Sequence, residues 1–159
     1  RDLGRGPETK PYYNEIIGYK FMPFNVQAAL GLAQLERLDS LVEIKRNIFK
    51  RYYDNLKDLD LQFNQECSKT FNSCWMTTVV GNFNKGDLIK KLEDRGVPSR
   101  PFFYPLSSIP AYDQRVFYEK INVNSYSISS RGINLPSALN LKNEQIDFVC
   151  EKLREALGD

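Results

Sequence analysis

Arg100 is followed at once by Pro101, Phe102, Phe103 and Tyr104. A guanidinium beside an aromatic run can grip a phosphate or carboxylate with paired N–H donors and stack a base or sugar ring. The same residue types also suit an edge strand with one packed face. Ser107 and Ser108 place hydroxyls just beyond. Lys20, within Tyr19-Lys20-Phe21, lies shortly before a predicted helix N-terminus. Helix N-termini favour anions, so a phosphate could bind there, although a solvated loop lysine reads the same way. Arg131 opens the stretch RGINLPS, which also reads as a strand end closed by a proline turn. Glu15, Glu36, Asp39 and Glu43 could supply acid/base pairs, but the last three fall on the polar face of a long predicted helix.

Composition removes several chemistries. The chain of 159 residues has no histidine, which excludes a Ser-His-Asp triad, a Cys-His dyad and any His-ligated zinc site within it. The three cysteines, Cys67, Cys74 and Cys150, are too few for a four-cysteine zinc site and too scattered for a disulfide framework. They read as reduced thiols of a cytoplasmic protein, at least two of them buried, and no metal site is expected. Lys and Arg total 22 and Asp and Glu total 20, a net charge of +2, too balanced for nucleic acid or an anionic membrane as main partner. No apolar run approaches the ~20 residues of a membrane span. The chain begins with Arg1 and carries no signal-peptide core, so it is expected to start within a longer protein.

The elements that must position these residues follow from spacing. Residues 1–24 read as an arm: a polar stretch with two Gly and two Pro, then an aromatic stretch ending in Phe24. Asn25 is the expected cap of a long helix running to Leu56, with Leu30, Leu38, Leu41, Ile48, Tyr52 and Leu56 on one stripe. At ~1.5 Å per residue such a helix is over about 40 Å long. Ser73 to Gly81 is β-branched and aromatic and reads as a buried strand. Asn84 caps a second helix with Leu88, Ile89 and Leu92 inward, stopped by Gly96 and Pro98. Ser99 to Leu106 is extended, because prolines forbid helix there, and belongs at a sheet edge or a pocket wall. Residues 107–127 read as loop with a short helix around Asp113 to Lys120. Ser129 to Leu135 suggests a short strand, and Asn143 to Leu157 a last helix. The result is an α/β domain of the α+β type over residues 25–159, helices packed on a short mixed sheet.

Three stretches resemble a known family. NVQAALGLAQLERL at Asn25–Leu38, with Gly18-Tyr19 ahead of it, is similar to the connecting helix of the DegT/DnrJ/EryC1/StrS sugar aminotransferases. RPFFYPLSSIPAY resembles their small-domain segment. RGINLPSALNL with EQIDFVCEKL resembles their C-terminal end. The resemblance runs from about Tyr13 to Leu157 and leans toward members acting on nucleotide-linked 4-keto-6-deoxy sugars. It implies the long connecting helix and C-terminal small domain of a fold type I aminotransferase, working as a homodimer with pyridoxal phosphate. The lysine that binds the cofactor would lie upstream, so the chain alone is expected to be inactive, without bound cofactor and without a catalytic residue of its own. The implied reaction moves an amine from L-glutamate to the sugar C4 ketone. The implied contacts are Arg100, Phe102, Phe103, Tyr104 and Ser107 on the substrate side, and Lys20 on the cofactor phosphate of the neighbouring subunit. Lys20 stands where the family usually has Asn, Met22 where it has Arg, and Ser107 where many members have His. The related 3-dehydratases, and a non-catalytic module binding a nucleotide sugar or a partner, are the alternatives.

Overall fold

A computed structural model describes residues 23–109 and 119–158. The expected arm falls outside them except for Pro23 and Phe24, as does most of the helix expected around Asp113 to Lys120. The chain divides into two compact units, residues 1–39 and 40–159.

In the first unit, α1 spans Asn25–Leu35. Its cap is Phe24, one residue before the expected Asn25, and the Gln27 side chain accepts the Phe24 N–H at 2.9 Å. No residue of α1 is buried; Val26, Leu30, Leu32 and Leu35 are all exposed. The expected single long helix is interrupted at Glu36 and Arg37, and α2 begins at Leu38 and runs to Leu56. Neither Pro nor Gly marks the break. Its local cause is a tightened turn, in which the Arg37 N–H donates to the Gln34 carbonyl three residues back at 3.2 Å. The predicted apolar stripe therefore holds only for its later part: Ile48, Tyr52 and Leu56 are buried, whereas Leu30 and Leu38 are exposed.

The second unit is built on a sheet of four short strands: β1 (Gln62–Phe63), β2 (Thr78–Val80), β3 (Arg100–Pro101) and β4 (Gly132–Asn134). Their order is β1-β2-β4-β3, and every pairing is antiparallel. The expected mixed sheet is corrected here, for a topological reason. Helix α3 (Lys85–Asp94) connects β2 to β3, which run the same way, but β4 lies between them and pairs antiparallel with both. The strand expected at Ser73 to Gly81 is confined to β2. Cys74 adopts a left-handed backbone, φ 51°, which ends any extended run through it.

Two further helices among the described residues are α4 (Val123–Arg131), which replaces the end of the loop expected up to residue 127 and the start of the strand expected at Ser129, and α5 (Asn143–Gly158). Asn84 caps α3 as expected, its side-chain oxygen accepting from Gly86 N at 2.8 Å and Asp87 N at 3.2 Å. Gly96 ends that helix region at φ +77°, a conformation that disfavours any Cβ. Val79 and Ile133 face each other across β2 and β4. They share one core with Ile48, Tyr52 and Leu56 of α2, Leu88 and Leu92 of α3, and Ile146, Val149 and Leu153 of α5. Side chains alternate along a strand, so Thr78, Asn134 and Arg100 form a cross-strand row on the opposite face.

Arg51 of α2 ties down α5 by donating to both oxygens of Asp147, at 2.8 and 2.5 Å, while Asn55 adds a third bond at 2.8 Å. The bond from Arg51 holds the Asp147 carboxyl below its ordinary range. Its stabilising contribution is therefore complete above the unfolded carboxylate value of about 3.9 and is lost as pH falls through the lower folded value. Asp147→Asn is expected to unfold at lower urea than the parent near neutrality, with the gap closing below about pH 4. A gap that persists in strong acid would refute this linkage.

Candidate functional site

A cleft of about 480 Å³ opens where β2 and β3 begin and β4 ends. Its walls include Lys45 from α2, Trp75 and Met76 ahead of β2, Ser99 and Arg100 at β3, and Asn134 to Ala138 leaving β4. Two side chains of the lining are cationic, Lys45 and Arg100, and none is acidic. The Lys45 ammonium donates to the Ser137 carbonyl, and partial burial lowers its pKa from the ordinary value. Ser137 also accepts the Thr77 N–H through its hydroxyl at 3.0 Å, stitching the turn after β4 to the entry of β2.

Asn134 is buried and holds the sheet together beneath this cleft. Its Oδ1 accepts from the Thr78 hydroxyl at 2.8 Å, and its Nδ2 donates to the Pro101 carbonyl at 3.3 Å. One side chain on the central strand thus clamps the strand carrying Arg100.

The structure separates the residues that sequence placed in one group. Arg100 lines the cleft, and Phe103 stacks on Trp75 at its wall, ring centroids 6.4 Å apart and 14° between planes. Phe102 is half-buried, edge-on to Phe103 and packed against Gly132. Tyr104 instead lies under the Lys85 ammonium, 4.4 Å from the ring centroid, and Lys85 donates to the Ser129 carbonyl at 2.7 Å. Ser107 shares a hydrogen bond with the Tyr126 hydroxyl at 3.1 Å. Lys20 and Glu15 lie outside the described residues. Arg131 is engaged within the fold, with Ser127 Oγ at 3.1 Å and the Gly81 carbonyl at 3.5 Å. Glu36 lies at the break between α1 and α2, Asp39 and Glu43 lie on α2, and all three are exposed.

Sequence reasoning missed Lys45, Trp75 and Ser137. Lys45 counts among the basic residues of a helix, and Trp75 sits inside an apparent strand. The signal that could have found Trp75 is its place in a short run of polar residues and cysteine rather than in the apolar alternation of β2. The loop that carries it is well tied. Arg46 donates to the Asn72 carbonyl at 2.5 Å, Cys74 N–H to Asn72 Oδ1 at 2.8 Å, and Asn64 Nδ2 to the Met76 carbonyl at 3.0 Å.

The three thiols differ sharply. Cys74 and Cys150 are buried, and burial raises both, Cys150 to about 11. Cys67 is exposed, and its hydrogen bond with the Thr70 hydroxyl lowers it. Thiolates are the reactive form. Iodoacetamide is therefore expected to modify Cys67 alone in the native chain, the other two reacting only in denaturant. Mass mapping that finds Cys74 or Cys150 modified as fast would overturn this.

The sequence and the fold both have relatives among known proteins. The model of the DegT/DnrJ/EryC1/StrS aminotransferase family matches residues 1–154. GDP-perosamine synthase of Escherichia coli O157:H7 is 34% identical over 152 residues, covering 94% of this chain and 41% of that protein. GDP-perosamine synthase of Vibrio cholerae is 34% identical over 149 residues, covering 91% and 40%. The chain thus spans about two fifths of the length of these relatives. Among solved structures, Helicobacter pylori PseC, an aminotransferase involved in the biosynthesis of pseudoaminic acid, superposes with a TM-score of 0.79 at 20% identity, covering 99% of this chain and 44% of that one, a likeness of fold.

Proposed function

The chain belongs to the DegT/DnrJ/EryC1/StrS aminotransferase family, and we propose that it forms the small-domain portion of an enzyme that aminates the C4 ketone of a nucleotide-linked 4-keto-6-deoxy sugar, with L-glutamate as donor. The identity to two GDP-perosamine synthases carries the substrate class. The cleft supports it, because two cations without an acidic neighbour suit an anionic ligand.

Pyridoxal phosphate does not fit the described residues. For transamination it needs a lysine for its aldehyde and a carboxylate that keeps its ring nitrogen protonated. The cleft offers Lys45, already donating to a carbonyl, and no carboxylate. The cofactor and its lysine accordingly belong elsewhere in the whole protein, with Lys20 proposed as a phosphate contact across the dimer. The described residues hold and orient the sugar nucleotide: Arg100 on its charge and Phe103 behind Trp75, with Phe102 backing Phe103 and Tyr104 set apart under Lys85. Ser107 adds a hydroxyl already engaged with Tyr126. A domain edge laid over the substrate also excludes water from the reaction.

The test is to express the complete open reading frame around Arg1 and supply it with glutamate and GDP-, dTDP- or UDP-linked 4-keto-6-deoxy sugars. The expected result is 2-oxoglutarate and amino sugar in equal amounts from one of them, and none from the 159-residue chain alone. Absence of amino sugar from every substrate, or activity of the chain alone, would overturn the reading.

A homodimer in the cytoplasm is part of the same proposal. The exposed leucines of α1 motivate it. The chain is expected to sediment above its monomer mass at high concentration and to return toward it in Leu30→Glu/Leu35→Glu. A parent chain that stays monomeric counts against an apolar self-contact.

A further inference from the structure

The cleft holds more positive charge than the fold itself uses. Among the described residues the Arg100 guanidinium has no hydrogen-bond or ion-pair partner. The Lys45 ammonium carries three donors and gives one, to Ser137. At the same wall Trp75 is 63% exposed, although an indole is among the costliest side chains to leave in water. It is not there by slackness. The left-handed Cys74 backbone and the bonds of Asn72, Arg46 and Asn64 fix the loop that presents it, and Phe103 stacks against it.

We propose that this cleft seats the nucleoside diphosphate end of the substrate, with Lys45 and Arg100 on the phosphate oxygens and the base stacked on Trp75. The inference rests on the sugar-nucleotide reading above and goes further by saying which part of that molecule lies here and on which side chains. An amino acid carboxylate fits less well. It brings one charge to two cations, it has no ring for the aromatic wall, and it leaves most of a cleft of about 480 Å³ unfilled. A diphosphate matches both cations, and every nucleobase has a face to stack.

The chain has a single tryptophan, so Trp75 reports on its own surroundings. GDP titrated into the chain is expected to quench its fluorescence saturably. Guanosine, which lacks the charge, and pyrophosphate, which lacks the ring, should each bind at least about tenfold more weakly. Arg100→Gln and Lys45→Gln should each weaken GDP binding about tenfold, and Trp75→Ala, followed by calorimetry, at least about fivefold. All three keep the parent circular dichroism, because none of these side chains is in the core. No saturable response to GDP, or variants that bind GDP as the parent does, overturns the placement. In the complete protein the two readings separate. Amination with an unchanged KM in Trp75→Ala and Arg100→Gln rejects this seat and leaves the activity standing, whereas no amination in the parent rejects the activity itself.

Discussion

Replacing Leu153 by alanine is expected to lower the unfolding free energy by about 3 kcal/mol, a large share of the 5–15 kcal/mol typical of a domain. Leu153 is fully buried on α5, in the one core that joins α2, α3, α5 and the sheet. The loss has two parts. Removing the isobutyl branch forfeits its transfer free energy, and the remaining cavity is lined by groups that cannot all collapse into it. The neighbours are themselves fixed. Tyr52 is clamped by its hydroxyl to the Pro136 carbonyl at 2.9 Å, and α5 is held by Asp147 to Arg51. Little relaxation is available, which places the effect well above the minimum for such a change. Urea denaturation followed by circular dichroism checks it. A shift in midpoint worth less than about 1 kcal/mol would mean that the core there repacks freely.

Gly132→Ala is the second large effect, and it acts on structure and site together. Gly132 has ordinary extended dihedrals, φ −112° and ψ 141°, so its backbone would accept alanine. Space would not. An added Cβ would sit 2.9 Å from the Ile128 carbonyl oxygen and 2.9 Å from Phe102 Cβ. The first contact is backbone and cannot swing aside. The second presses on the segment that follows Arg100, whose Phe102 N–H donates to the Gly132 carbonyl at 3.0 Å. Overpacking of this kind costs about 2 kcal/mol. It should also weaken GDP binding severalfold by moving β3 at the cleft. Gly81→Ala is the control. Its close contacts are the flexible ends of Phe83 and Leu61, so the same added methyl should cost less. Equal stability losses at the two positions would show that backbone proximity is not the deciding factor.

Much of the second unit was legible because its helices carry clean local signals. Asn84 reads as a cap from its type and place, and Leu88 and Leu92, or Ile146, Val149 and Leu153, mark buried faces by spacing alone. Arg100 was also legible, since an arginine beside prolines and aromatics stands out. What escaped depends on partners far apart in sequence. The break at Glu36 and Arg37 has no breaker residue to announce it. β1 is two residues long, too short for alternation to be visible, and its existence is decided by β2; the strand expected at Ser129 to Leu135 narrows to β4, because α4 runs on to Arg131. Lys45, Trp75 and Ser137 meet only because α2, the loop before β2 and the turn after β4 converge, and no window of sequence contains all three. Trp75 was misplaced for a definite reason: strand propensity describes residue types, whereas the left-handed backbone at Cys74 is a property of one conformation.

The placement of β4 between β2 and β3 also bears on the order in which the protein is made. Synthesis delivers β2 about fifty and β3 about thirty residues before the strand that must separate them. A nascent chain that ends before Gly132 carries β3 and its Arg100 with no strand to pair with, because its neighbour in the sheet is β4. The cleft therefore cannot be assembled in step with translation. It closes only once β4 is available to pair with both, and until then the edges of β2 and β3 that β4 will cover stand open. The penalty for slow or interrupted synthesis past Pro101 falls on aggregation before it falls on binding.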